Sequence, residues 1–279
     1  MARNLCICLL VASLAALASA RKLQASDTDV VAIIQVAGAA TTSLAKHTAK
    51  STADASGAIE LSGRGRRIEI LMAVMSRCPD ARAAEATMDQ VLTRLHSIAT
   101  VRLVYIGSFN SSSSPYGITC KHGEIECAGN TQQLCAAKYS GQGPAEADVV
   151  EPWTRGWRFI MCQNKQYTDI GKEALAESCF QEVGFTATGA SLARACWSGP
   201  EVRSMLRNSA RQAEKLRASV SATIFVDGQY RCTRNGGQWA DCPGGGEADD
   251  FVLTVCEAYR RVSYVWPEDI CGPQPGLDK

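Results

Sequence analysis

The chain has 279 residues, 46% of them apolar, with 29 basic side chains against 28 acidic ones. That length accommodates one domain with an insertion or two small domains. The balanced charge excludes nucleic acid or an anionic membrane surface as the expected partner.

The chain opens Met-Ala-Arg-Asn, runs apolar from Leu5 to Leu17 and reaches Ala18-Ser19-Ala20 before the basic Arg21-Lys22. A positive start, a short apolar run and a small-x-small exit form the layout of a cleavable secretory signal, so residues 1–20 are read as removed. No later run approaches the ~18 apolar residues of a membrane span, and the mature chain is expected to be soluble in the secretory pathway, lysosomal or extracellular. Residues 21–60 are rich in Ala, Ser and Thr and are read as a leader of uncertain order.

Arg66 to Met75 is a charge-flanked apolar run and is predicted to be a largely buried strand. Ser76-Arg77-Cys78-Pro79-Asp80 follows. Ala81 to Ala99 lacks Gly and Pro and is rich in Ala, Leu, Met, Arg and Glu, which predicts a helix. Pro79 suits the first helical position, placing Cys78 at the N-cap or just outside it. Thr100 to Ser108 alternates and predicts a second strand, parallel to the first through a right-handed crossover. Asn110-Ser111-Ser112 in the following Ser-rich loop is a glycosylation sequon, making Asn110 a modification candidate. From Cys120 to about Arg217 the pattern is mostly helical. Ser221 to Tyr230 is a strand running into an Asp-Gly hairpin turn, with the return strand from Arg231-Cys232. Glu247 to Arg261 is a closing amphipathic helix. Without the insertion the order is β-α-β-β-β-α, which reads as a thioredoxin-like domain of the α/β class. The domain is placed at 61–271, its helical, disulfide-rich insertion at about 120–217, and a tail at 272–279.

Of the thirteen cysteines, Cys6 and Cys8 leave with the signal and eleven remain. A secreted chain this rich in cysteine carries structural disulfides, and an odd number leaves at least one thiol without an intramolecular partner. Cys78 is the candidate. At the start of a helix, unpaired N–H groups and the helix dipole direct positive potential at the sulfur. That favours the thiolate, the attacking species in disulfide exchange. Arg77 and Arg82 are expected to add to the effect and Asp80 to oppose it. The motif Cys78-Pro79-Asp80-Ala81 has no second cysteine, so an external thiol has to resolve the mixed disulfide. Cys232 and Cys242, ten residues apart across Asn235-Gly236-Gly237, are candidates for a structural disulfide.

Residues 120–135 read Cys-Lys-His-Gly-Glu-Ile-Glu-Cys-Ala-Gly-Asn-Thr-Gln-Gln-Leu-Cys. No metal is expected there, because the spacing lacks a Cys-x-x-Cys knuckle and the secretory route favours disulfides. His47, His96 and His122 show no carboxylate or cysteine partner at catalytic spacing. The role of His122 stays open between loop structure and substrate contact. Gly244-Gly245-Gly246 lacks the Lys-Ser/Thr of a phosphate loop and is read as a flexible link. The Arg-rich 203–217 is read as a solvated helix face.

The 120–135 stretch resembles the signature of the gamma-interferon-inducible lysosomal thiol reductase family: Cys-Gln-His-Gly, two residues, Glu-Cys, two residues, Asn, four residues, Cys. It matches at Cys120, His122, Gly123, Glu126, Cys127, Asn130 and Cys135, with Lys121 in place of Gln. The resemblance runs from about Ile68 to Cys242. It implies a thioredoxin-like fold with a helical insertion and reduction of disulfide-containing proteins; the lone Cys78 adds the expectation of a small thiol such as glutathione or cysteine as reductant, and no cofactor is expected. The family's attacking cysteine falls on Cys78 and its second on Ala81, so the dithiol cycle is absent. The alternative is a redox-inactive binding protein that keeps the scaffold. The cis-proline loop that faces the active-site sulfur in thioredoxin-like proteins has no proline before Thr223. A cis bond without proline costs ~2.5–4 kcal/mol, so that bond is expected to be trans.

Overall fold

The computed structural model describes residues 66–109, 114–141 and 152–276. The signal, the leader, Asn110 and the last three residues of the tail lie outside the described residues. Among the described residues no helix is long and apolar enough to cross a membrane.

Strand β1 (Ile68–Val74) leads into helix α1 (Pro79–Leu95), which returns to β2 (Ala99–Tyr105). The insertion follows as α2 (Glu124–Tyr139), α3 (Pro152–Lys165), α4 (Glu173–Glu182), α5 (Ala187–Ser198) and α6 (Glu201–Lys215). The chain then re-enters the sheet as β3 (Thr223–Val226), β4 (Gln229–Asn235) and β5 (Gln238–Ala240), and closes with α7 (Ala248–Ser263) and the short α8 (Glu268–Cys271). The sheet order is β2-β1-β3-β4-β5, with β1 and β2 parallel and the other pairs antiparallel. This is the thioredoxin-like arrangement, interrupted by a helical, disulfide-rich insertion.

Side chains alternate across a strand, and β1 uses both faces. Ile68, Ile70, Met72 and Val74 pack with Met88, Leu92 and Leu95 of α1 and with Phe251 and Val255 of α7. Leu71 and Ala73 pack on the other side with Val104, Ala213, Ala218 and Phe225. A near-continuous apolar run results, as expected of a strand covered on both faces. The insertion has a core of its own, built on Phe159, Phe180, Ile170 and Leu175. Phe180 stacks on Trp197 at 5.5 Å and lies 4.6 Å from Phe185.

Three local expectations are corrected. Helix α1 stops at Leu95 rather than Ala99, although no Gly or Pro marks the end. The Ile98 carbonyl accepts the Ile68 N–H at 2.8 Å and Ala99 opens β2, so sheet pairing overrides the helix propensity of the segment. Gly244–Gly246 is a packed turn rather than a flexible link: the buried Arg231 donates from Nη2 to the Gly245 carbonyl at 2.8 Å and lies over the Phe251 ring at 4.8 Å. Its burial pushes the Arg231 guanidinium down from its ordinary range. In α6, Arg207 donates to the Gly117 carbonyl at 2.6 Å and, with Arg211, flanks the Phe109 ring at 5.4 and 5.8 Å. That face therefore clamps the loop after β2 and is not wholly solvated.

Candidate active site

Cys78 is the N-cap of α1, with Pro79 in the first turn and no side chain capping the helix. Its N–H donates to the Met75 carbonyl at 2.9 Å, and its own carbonyl accepts the first helical bond, from Arg82 N–H at 3.1 Å. The amides of Asp80 and Ala81 precede that bond, so they belong to the unpaired start of the helix. The sulfur is half-buried and free. The ten other cysteines of the described residues are paired: Cys120–Cys127, Cys135–Cys196, Cys162–Cys179, Cys232–Cys242 and Cys256–Cys271. Among the described residues no second thiol stands ready to resolve Cys78, and Ala81 is buried on the inner face of α1.

The Cys78 sulfur lies 3.8 Å from the Ser221 carbonyl oxygen. The Ser221–Ala222 peptide bond is cis, which corrects the expectation of a trans bond. That expectation weighed the local preference of the peptide alone. In the fold, Met75 N–H donates to Ser221 Oγ at 3.0 Å, and Ala222 exchanges both backbone bonds with Arg234 at 3.1 and 2.8 Å. Tertiary hydrogen bonds thus fix the chain on both sides of the bond. Sequence reasoning placed the Ser221-Ala222 loop opposite the sulfur but did not name Ser221 as a site residue, because its partners are more than 140 residues away. The available signal was its place in the loop before Thr223, the loop that faces the active-site sulfur in thioredoxin-like proteins.

The neighbours of Cys78 act on the scaffold more than on the sulfur. Arg77 Nη1 donates to the carbonyls of Thr168 and Ile170, both at 2.7 Å, and so ties the active-site turn to the insertion. Arg82 stacks over the Tyr167 ring at 4.2 Å. Asp80 accepts from the amides of Gly236 and Gly237 at 2.9 and 2.8 Å, at the β4–β5 turn. All three side chains next to Cys78 are thus held by groups other than the sulfur, and they brace the turn that carries it.

The 120–135 stretch is built against this turn. Gly123 starts α2 with φ of 84°, a left-handed conformation that a side chain would disfavour. Glu126 is fully buried and accepts from the His122 backbone N–H at 3.2 Å, and its other oxygen pairs with His122 Nδ1. His122 thus has the carboxylate partner that its sequence neighbourhood did not reveal, one helical turn away. Asn130, also fully buried, accepts the Ser76 N–H through Oδ1 at 3.0 Å and donates from Nδ2 to the Cys120 sulfur at 3.5 Å. Ser76 Oγ donates to the Glu126 carbonyl at 3.3 Å. At Gly129 an added Cβ would stand 2.7 Å from Ser76 Oγ and 2.5 Å from Ile170, so only glycine lets α2 approach this closely. Cys120–Cys127 closes the loop that carries His122, and Cys135–Cys196 fastens α2 to α5. Among the described residues no group of three His, Cys, Asp or Glu side chains could hold a metal ion.

Comparison with solved structures returns distant likenesses. DsbA from Mycobacterium tuberculosis shares 12% identity over 74% of this chain and 87% of its own, with a TM-score of 0.43. Reduced DsbA1 from Neisseria meningitidis shares 11% over 71% and 88%, with a TM-score of 0.42. A thioredoxin-like oxidoreductase from Silicibacter pomeroyi DSS-3 shares 16% over 71% and 88%, also with a TM-score of 0.42. No curated protein sequence matches the chain. Residues 69–183, which hold β1, the Cys78 turn, α1, β2 and the 120–135 stretch, match the family model described as gamma interferon inducible lysosomal thiol reductase. Over that segment the chain is similar to the gamma interferon inducible lysosomal thiol reductase family.

Proposed function

We propose that the protein is a thiol–disulfide oxidoreductase of the secretory pathway, lysosomal or extracellular. It reduces disulfide-containing proteins through Cys78 as the single attacking thiol. A small external thiol such as glutathione or cysteine resolves the intermediate. The observation that carries this reading is the free, half-exposed Cys78 at an uncapped helix start, 3.8 Å from the Ser221 carbonyl, while the other ten cysteines of the described residues are closed in five pairs.

Cys78 thiolate attacks one sulfur of the substrate disulfide. The Cys78–substrate S–S bond forms, the substrate S–S bond breaks, and the departing thiolate takes a proton from solvent. The positive end of the α1 dipole lies at the residue that bears the sulfur, and favours negative charge there. An external thiolate then attacks the Cys78 sulfur and releases the second substrate thiol. A second external thiol attacks the external sulfur and restores Cys78. Two small thiols are oxidised to one disulfide, and one substrate disulfide becomes two thiols.

Alkylation of the native protein followed by peptide mapping should label Cys78 alone. Turnover of a protein disulfide with excess small thiol should be lost in Cys78→Ser. Retained turnover in that variant would sink the reading. Absence of turnover in the native protein, with Cys78 free, would favour the second reading, a redox-inactive binding protein. The specific observation behind that second reading is Ala81 at the place of the family's other active-site cysteine.

A further inference from the structure

A groove of about 830 Å³ runs between the loop after β2, the turn around Lys121 and the C-terminal end of α6. That size falls within the range of small-molecule sites. Met75 forms part of its wall. The same residue accepts the Cys78 N–H at 2.9 Å and donates to Ser221 Oγ at 3.0 Å. The groove wall is therefore one hydrogen bond from the residue that bears the sulfur and one from the residue opposite it.

Three charged residues line the groove, Lys121, Glu214 and Arg217, and all three are exposed. None of them takes part in an ion pair among the described residues. Arg217 holds φ of 56°, a left-handed conformation where glycine is the default, and its N–H donates to the Glu214 carbonyl at 2.9 Å. The helix thus ends with a guanidinium at a position a bare backbone would occupy more easily. Lys121 stands where the family signature has Gln. Phe109 supplies an apolar wall, with two further guanidinium groups, Arg207 and Arg211, over its ring.

Two cations and one carboxylate complement a ligand with two carboxylates and one ammonium. We propose that this groove seats the resolving reductant, a small thiol with the charge pattern of glutathione. The inference rests on the reading of Cys78 as the single attacking thiol. With no second cysteine in the motif, resolution depends on an external thiol. A seat whose wall at Met75 is one hydrogen bond from Cys78 raises the local concentration of thiol at the mixed disulfide. The electron flow is that of the resolving steps above, with two reductant thiols becoming one disulfide.

The full chain is treated with 2,2′-dithiodipyridine, a neutral disulfide. The first thiopyridone released reports attack by Cys78. The second, released on adding thiol, reports resolution of the Cys78–pyridyl disulfide. The readout is the rate ratio of glutathione to 2-mercaptoethanol. In Lys121→Glu and in Arg217→Glu that ratio is expected to fall about tenfold, at the low end of electrostatic steering effects. Lys121→Gln, which neutralises the charge without reversing it, should give a smaller fall. A ratio equal to that of the native protein in all three variants, with a normal first release, overturns the groove assignment and leaves the Cys78 reading standing. So does a native ratio accompanied by slower attack on an acidic peptide disulfide, which would assign the groove to the protein substrate. No first release from the native protein overturns both.

Discussion

Asn130 is the residue through which the 120–135 stretch reaches the active-site turn. It is fully buried on α2 and holds Ser76 N–H with one end of its amide and the Cys120 sulfur with the other. Asn130→Ala leaves a buried N–H unpaired two residues before Cys78, which costs about 1–3 kcal/mol. The expected outcome is a lower denaturant midpoint together with a changed rate of Cys78 alkylation. An unshifted midpoint would show that Ser76 finds another acceptor and that the bridge is dispensable. Glu126 and His122 work at the same scale: a buried carboxylate tied to the helix start organises the loop that Cys120–Cys127 closes.

Among elements, α1 is held to the far edge of the sheet by Asp80. Its two oxygens accept from Gly236 and Gly237 at the β4–β5 turn, and Arg234 lies 3.9 Å away. This joins the helix that carries Cys78 to β4, which pairs with β3, the strand that follows Ser221. Asp80→Ala should destabilise the domain by about 1–2 kcal/mol. It should also speed hydrogen exchange at the Gly236 and Gly237 amides, read by mass spectrometry. Unaltered exchange at those two amides would mean that the turn stands without the aspartate. Arg77 makes the corresponding tie to the insertion through the Thr168 and Ile170 carbonyls. The active-site turn is therefore anchored on both flanks by side chains adjacent to the cysteine in sequence.

For the whole molecule, the buried carboxyl of Glu85 sets a dependence on pH. It sits on the inner face of α1, accepts from Asn164 Nδ2 of α3 at 2.6 Å, and faces Tyr105 of β2. Glu85 Oε1 and Asn164 Oδ1 are buried with no partner. Desolvation by burial is the main cause that pushes Glu85 up to about 7, against the opposing hydrogen bond from Asn164. The unfolded chain ionises this group near its ordinary 4.5, so between 4.5 and about 7 the unfolded state has lost a proton that the folded state keeps. Stability is complete below 4.5 and falls as pH rises towards 7, by on the order of 3 kcal/mol if no other group compensates. Glu85→Gln carries no such proton and can complete a paired amide contact with Asn164. Its unfolding free energy should be flatter between pH 5 and 7 than that of the native protein, and higher at pH 7.5. Equal pH profiles for the two proteins would refute the assignment. The contribution of this one carboxyl to folding is therefore largest at acidic pH.

The order of elements, the placement of Cys78 at a strand–helix junction and its lack of a neighbouring second thiol were legible in the sequence. They rest on local signals: the apolar run of β1, Pro79 at the helix start, the Asp227-Gly228 turn and the odd number of cysteines. The end of α1, the cis bond before Ala222, the His122–Glu126 pair and the engagement of Arg77 and Asp80 were decided by tertiary structure. Each depends on groups brought together by the packing of the fold, through sheet pairing at Ile98, hydrogen bonds from Met75 and Arg234 around Ser221, and backbone carbonyls and amides that carry no sequence identity. A residue's type announces what it can bond to, while its partner is fixed only when the fold removes water from one side of it and leaves a particular donor or acceptor in reach.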